Sequence, residues 1–187
     1  TNCTVAHNSA TTAGGGIFND LGPIQMTNCI VWGNSPEQIF NDRTEPVVEY
    51  SCVQDGYSGT GNFSADPLFL DAANGNYHLV PGSPCIDTGA DASDPAYGAV
   101  LEDFEGHPRG VDGDGLPAGS TGDGSEYDIG ADEYVPFIRI TSPEAGVDWQ
   151  QGTVQMITWD SVGVPGLVKI YYSLDGGTTW VGINYGA

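Results

Sequence analysis

The stretch Thr27-Asn28-Cys29-Ile30-Val31-Trp32-Gly33-Asn34-Ser35 repeats an earlier one, Thr1-Asn2-Cys3-Thr4-Val5-Ala6-His7-Asn8-Ser9. The copies lie 26 positions apart and agree at Thr, Asn, Cys, Val, Asn and Ser. A looser third copy runs from Tyr50 to Gly56, and a second phrase recurs 22 positions apart as Ile17-Phe18-Asn19-Asp20 and Ile39-Phe40-Asn41-Asp42. Short apolar strands separated by Gly or Asn turns and repeated every 22 to 26 residues are the signature of a solenoid. A single coil cannot bury its own inner face, so such a chain is stable only when each coil stacks on the next.

Parallel strands suit this pattern, and residues 1–56 are expected to form two to three coils of a parallel β-helix. If Val5, Val31 and Val53 share one inward column, Cys3, Cys29 and Ser51 form the column two residues away. A register shifted by one would put Cys52 there instead. Asn8 and Asn34 fall where a turn needs a left-handed residue or a local side-chain bond. Gly14-Gly15-Gly16 reads as a corner, since it lacks the Lys-Ser/Thr and following helix of a phosphate-cradling loop. With 28 Gly, 12 Pro and apolar runs of only four to seven residues rich in Val, Ile, Thr, Tyr and Trp, the whole chain reads as all-β.

Four Lys plus Arg stand against 25 Asp plus Glu, a formal charge of −21. Such a surface repels phosphate backbones and anionic lipid, which argues against nucleic-acid and membrane-surface roles and makes divalent cations plausible partners. Solubility of an extracellular protein is the alternative use of the same charge. No stretch approaches the roughly 20 apolar residues of a membrane span, so direct membrane insertion is not expected. The chain opens inside a repeat and ends inside a further pattern, so it reads as a piece of a longer polypeptide.

Residues 57–135 change character. The phrases Asp66-Pro67-Leu68-Phe69-Leu70-Asp71, Gly75-Asn76-Tyr77-His78-Leu79, Pro81-Gly82-Ser83-Pro84-Cys85-Ile86-Asp87-Thr88-Gly89, Gly106-His107-Pro108-Arg109 and Asp128-Ile129-Gly130-Ala131-Asp132-Glu133-Tyr134 occur in that order. From about residue 50 to 134 the chain resembles the closing segment of bacterial right-handed parallel β-helix proteins of the polymorphic-outer-membrane-protein type. It departs from them in carrying Asp132 where an aromatic is usual, and in a longer insert between Arg109 and Asp128. The resemblance implies a right-handed β-helix ending in a cap on a secreted or surface-attached protein, and it implies no reaction, because the fold serves adhesins and polysaccharide lyases alike. A cap is physically required, since the last coil otherwise exposes strand edges and apolar interior. Leu68, Phe69, Leu70, Tyr77, Leu79 and Ile86 are expected to provide it. Arg109 is expected to be partly buried and paired with Asp87 or Asp128; a substrate-binding arginine is the alternative.

Between residues 111 and 128 Asp and Gly alternate. Carboxylates on a Gly-permitted tight backbone can converge on a hard cation, which makes Asp112, Asp114, Asp123, Glu126 and Asp128 candidate calcium ligands. The full 12-residue calcium loop is not matched, so a solvated loop is the competing reading.

From residue 136 onward a third pattern begins. Residues 137–141, 154–159, 167–173 and 179–183 read as alternating strands, with Asp175-Gly176-Gly177 as a hairpin turn. Ile140-Thr141-Ser142-Pro143, Trp149, Ile157-Thr158-Trp159 and the run from Tyr172 to Trp180 resemble an immunoglobulin-like module of bacterial secreted proteins, related to a fungal cell-wall glucan-synthesis domain. Its 51 residues fall short of the ~100 of such a sandwich, so a partial β-sandwich is expected, with the tryptophans in its core.

Catalytic signals are sparse. His7, His78 and His107 show no ligand spacing, and only Arg43 among the cationic residues lies in the coils. The four cysteines contain no C-x-x-C, which disfavours zinc, haem attachment and thioredoxin chemistry. A Cys52–Cys85 disulfide with Cys3 and Cys29 as stacked thiols is one expectation, and four reduced buried thiols the other. The function expected is therefore non-catalytic: a fragment of a secreted or cell-surface β-helix protein serving adhesion, glycan contact or spacing, with polysaccharide or another surface protein as partner and calcium as possible cofactor. The alternative is the end of a β-helix polysaccharide lyase or glycoside hydrolase whose catalytic coils lie upstream. Exposed edge strands also allow edge-to-edge self-association.

Overall fold

The computed structural model describes residues 1–91, 100–112, 126–144, 146–150, 152–162 and 168–183. It is all-β, with one 3-10 turn at Ala72–Asn74 as the helical element among the described residues.

Seven short strands carry the repeat: β1 (Thr4–Ala6), β2 (Ile17–Asn19), β3 (Gln25–Thr27), β4 (Ile30–Trp32), β5 (Ile39–Asn41), β6 (Val47–Glu49) and β7 (Cys52–Val53). They pair only in parallel, as β1-β4-β7, β2-β5 and β3-β6. Val5 lies opposite Val31 and Val31 opposite Val53, as the repeat predicts. Ile17 matches Ile39 and Met26 matches Val48. These columns meet in one apolar cluster of Met26, Cys29, Val31, Val48 and Val53, with Val5, Ile17, Ile24, Ile39 and Tyr57 against it. The 26-residue offset of β1 and β4 against 22 for the other ladders leaves four extra residues between Ser9 and Gly16. There Gly15 runs so close to the backbone of Ser35 that a Cβ would overlap its carbonyl, which explains the glycine triplet.

Two corners bracket each strand of the three-stranded sheet, and each needs a left-handed residue. Asn2, Asn28 and Tyr50 take φ between 46° and 53° at the first corner; His7, Gly33 and Asp55 take 55° to 69° at the second. The left-handed residues thus stand one place before Asn8 and Asn34, whose amides instead stack: Asn8 Nδ2 donates to Asn34 Oδ1 at 3.1 Å, and Asn34 Nδ2 donates to the Val5 carbonyl at 2.8 Å. After the first corner Cys3, Cys29 and Ser51 each donate a side-chain bond to the carbonyl two residues back.

The segment 57–63 lies against the last repeat. Tyr50 donates to the Thr60 carbonyl, Asn62 Nδ2 donates to the Val48 carbonyl, and Phe63 bridges to Cys52 as a further parallel rung. The segment expected to be the lid lies elsewhere. Thr4, Ile30 and Cys52 form the outward column of the three-stranded sheet, and Ile30 and Cys52 pack with Leu79, Cys85, Ile86, Ile129 and Tyr134 in a second core. Leu79, Ile86 and half-buried Phe69 therefore cover the flank of the sheet, while Leu68 and Leu70 are exposed. The reason is register: alternation along β4 and β7 leaves Ile30 and Cys52 on the outer face, where they need a cover of their own. Asn28 fastens this layer by accepting the Ala90 N–H and donating to the Ala90 carbonyl, both at 2.7 Å. Within the layer, β8 (Phe69–Asp71) pairs antiparallel with β9 (Asn76–Leu79).

Beyond it, β10 (Phe137–Ser142) pairs antiparallel with β11 (Thr158–Val162), and β12 (Tyr171–Tyr172) with β13 (Val181–Gly182) around the expected Asp175-Gly176-Gly177 turn. The second strand starts later than its sequence pattern suggests, and Val154 and Met156 are exposed ahead of it. Trp149, Trp159 and Trp180 are exposed as well, which corrects the expectation that they fill a core. Two separate two-stranded ribbons offer no second layer to bury an indole.

Candidate functional site

The flanking layer concentrates the chemistry of the molecule. Among the described residues five carboxylates are buried there, Asp87, Asp103, Asp128, Asp132 and Glu133, with one buried cation, Arg109. Burying a carboxylate is tolerated only where N–H donors or a cation replace water. Asp128 accepts the N–H of Asp87 on Oδ1 at 2.8 Å and of Tyr134 on Oδ2 at 2.6 Å. Glu133 accepts the N–H groups of Gly110 and Val111 on Oε1, and that of Asp128 together with Arg109 on Oε2. Burial, and after it the charge of Glu133, pushes the Asp128 carboxyl well above the usual range. Burial likewise raises Glu133, against the pull of its N–H donors and Arg109.

Arg109 is buried as expected, but its carboxylate partner is Glu133 at 3.3 Å. Asp87 and Asp128, the partners anticipated from sequence, are not in that pair. The guanidinium also donates to the carbonyls of Gly130 and Ala131 at 2.9 Å, so the Gly-Ala-Asp-Glu turn wraps around it and brings Glu133 to the fork. This is a positioning role, with no face left for a substrate.

Of the candidate calcium ligands, Asp112 and Glu126 lie with Asp87, their oxygens within 4.8 Å of one another. Asp114 and Asp123 fall outside the described residues. Asp128 has both oxygens committed to backbone N–H groups. All four cysteines are free thiols, which corrects the Cys52–Cys85 bridge. Cys52 and Cys85 both lie in the second core, where the neighbouring Cys52 and burial push the Cys85 thiol up. Their contact needs no bond, because the outward column of the sheet places both against the same apolar layer.

A second constellation escaped the sequence reading. The turn 101–109 is held by Asp103, whose Oδ1 accepts the N–H groups of Glu105 and His107, both at 2.8 Å. Burial would raise Asp103, but these bonds and the His107 ring hold it below the usual range. The turn carries Glu105 to His78 of β9, with His78 Nε2 to Glu105 Oε2 at 3.1 Å. Asp132 Oδ1 lies 4.0 Å from the same nitrogen, while its Oδ2 accepts the Leu79 N–H at 2.7 Å. His107 Nδ1 is 3.2 Å from Asp103 Oδ2 and 3.8 Å from Glu105 Oε2. These groups line one wall of a cavity of about 600 Å³ whose other walls include Leu70, Tyr134, Phe137 and Arg139. Glu105 and Asp132 lie 27 and 54 positions after His78, which hid the cluster; the one local signal was the Asp103-x-Glu105-x-His107 alternation.

No protein-family model, curated protein or solved structure matches this chain. Among the described residues no helix is long and apolar enough to cross a membrane.

Proposed function

We propose that this chain is a non-catalytic scaffold: the last coils of a right-handed parallel β-helix of the polymorphic-outer-membrane-protein type, a closing layer, and an immunoglobulin-like spacer, on a secreted or cell-surface protein. The observation that carries the reading is the in-register parallel ladder Val5–Val31–Val53 with the segment 57–63 against its last repeat. Stacked coils make a stiff rod whose flat outer faces suit extended contact with a polysaccharide or another surface protein. Exposed aromatic groups on the spacer, Trp149, Trp159 and Trp180, add faces that sugars can stack on. Calcium held by the Asp87, Asp112 and Glu126 group would stiffen the joint between closing layer and spacer.

The competing reading, the end of a β-helix lyase or glycoside hydrolase, needs a cation or an acid pair on an outer coil face. Arg43, the coil cation, is exposed beside Asp20 at 3.6 Å and Asp42 at 3.3 Å, so these three groups are where that reading would have to place its chemistry. Incubating the chain with neutral and acidic polysaccharides separates the two. The scaffold reading expects retention on at least one insoluble glycan with no new reducing ends and no unsaturated uronate. Time-dependent release of either product would establish the enzyme reading.

A further inference from the structure

The hydrogen bonding of His78 leaves its ring in one protonation pattern. Asn76 Oδ1 accepts the backbone N–H of His78 at 3.2 Å and lies 2.6 Å from ring Nδ1. An oxygen already fixed as an acceptor faces that nitrogen only if Nδ1 carries a hydrogen. In the neutral ring the lone pair is then on Nε2, and it points at Glu105 Oε2 and Asp132 Oδ1. Three lone pairs facing one another repel unless a cation stands between them. That cation is a second ring proton or a metal ion.

The spacing fits a metal as well as a proton on Nε2, and the donor chemistry says which metal it would be. A tetrahedral ion with ligand bonds of about 2.0–2.1 Å holds its donor atoms about 3.3 Å apart. The observed 3.1 and 4.0 Å from Nε2 bracket that figure, and all three donor atoms lie within 4.8 Å of one another. One imidazole with two carboxylates is a borderline donor set, suited to zinc, cobalt or nickel and poor for calcium or magnesium, which take oxygen alone. The supports around the ligands are of the kind such sites use. Asn76 orients His78, the Leu79 N–H fixes Asp132, and Asp103 fixes the turn bearing Glu105.

We propose that His78 Nε2, Glu105 and Asp132 form a site for one zinc-class divalent ion, with the fourth position open to the neighbouring cavity and filled by water. His107, anchored on Asp103, stands in the outer shell beside Glu105. The ion would tie β9 to the 101–109 turn and to the segment 127–134, which Arg109 already joins to each other through Gly130, Ala131 and Glu133.

Calorimetric titration of the full chain with zinc, followed by dialysis and elemental analysis, tests the site. The expected result is one zinc per chain, retained in millimolar calcium (roughly 10⁻³ M, the range of weak all-oxygen sites). His78→Ala and Glu105→Gln should each weaken binding by about tenfold or more, the scale on which metal-site changes act. Asp112→Asn should leave it unchanged. Circular dichroism checks that the variants fold, and a second readout needs no variant: zinc should shift the ring resonances of His78 and leave those of His7 in place. Absence of stoichiometric zinc, equal binding by folded His78→Ala, displacement by calcium, or unmoved His78 resonances would each overturn the assignment.

Discussion

At the residue scale, function and stability rest on side chains that replace missing backbone partners. Asp175, in the turn between β12 and β13, is the clearest case. Its carboxylate accepts the Thr179 hydroxyl at 2.7 Å and the Thr179 N–H at 2.8 Å, and also the Ser173 hydroxyl. These bonds hold its pKa at about 2. Because the folded value is depressed, the turn keeps this support above the ordinary carboxylate range and loses it as pH falls through about 2. The Thr179 amide resonance should therefore titrate with a midpoint near that value; a midpoint at the ordinary aspartate value would mean the turn bonds are not formed. The thiols offer a second check. Cys3 is exposed, and the neighbouring Cys29 thiol lowers its pKa to about 6, while Cys29, Cys52 and Cys85 are buried. An alkylating agent at neutral pH should label Cys3 alone in the folded chain and all four thiols after denaturation without reductant. Two labels after denaturation would reveal a bridged pair.

At the element scale, the repeated strand and corner form the unit, and the corners decide whether successive strands can pair in register. Gly15→Ala should destabilise the chain by about 2 kcal/mol, since the new methyl meets the Ser35 backbone, whereas Gly22→Ala, which meets nothing, should change stability by less than about 0.5 kcal/mol. Urea unfolding of the two variants measures the contrast, and equal midpoints would contradict this packing. These elements were legible in the letters because a stacked coil repeats its environment: Val5, Val31 and Val53 recur for the same reason that they align. The outer face was less legible. The repeat does not say whether Ile30 and Cys52 face solvent or a second layer, so the letters do not separate a flank cover from an end lid within residues 57–135. The cluster at His78 was invisible for a related reason: its members come from a strand, a turn and a distant segment that only the fold brings together. The aromatic strands after residue 136 show the opposite failure, where alternation predicts a buried face that two-stranded ribbons cannot supply.

At the scale of the whole molecule, the charge of −21 is partly internal. Buried carboxylates act as acceptors that bind the flanking layer to itself, and Arg109 is the one cation buried with them among the described residues. Arg109→Leu should therefore cost about 3–5 kcal/mol, the penalty for stranding one member of a buried pair, and lower the melting temperature accordingly. A change below about 1 kcal/mol would show that Glu133 is carried by its N–H donors alone. The account as a whole depends on coils laid parallel and in register, since the second core, the fastening at Asn28 and the placing of residues 57–63 all follow from that alignment. Methyl-to-methyl contacts in valine-labelled protein measure it directly by nuclear magnetic resonance. The stack requires Val31 to lie against both Val5 and Val53 while those two do not touch each other; a spectrum in which Val31 meets neither would contradict it.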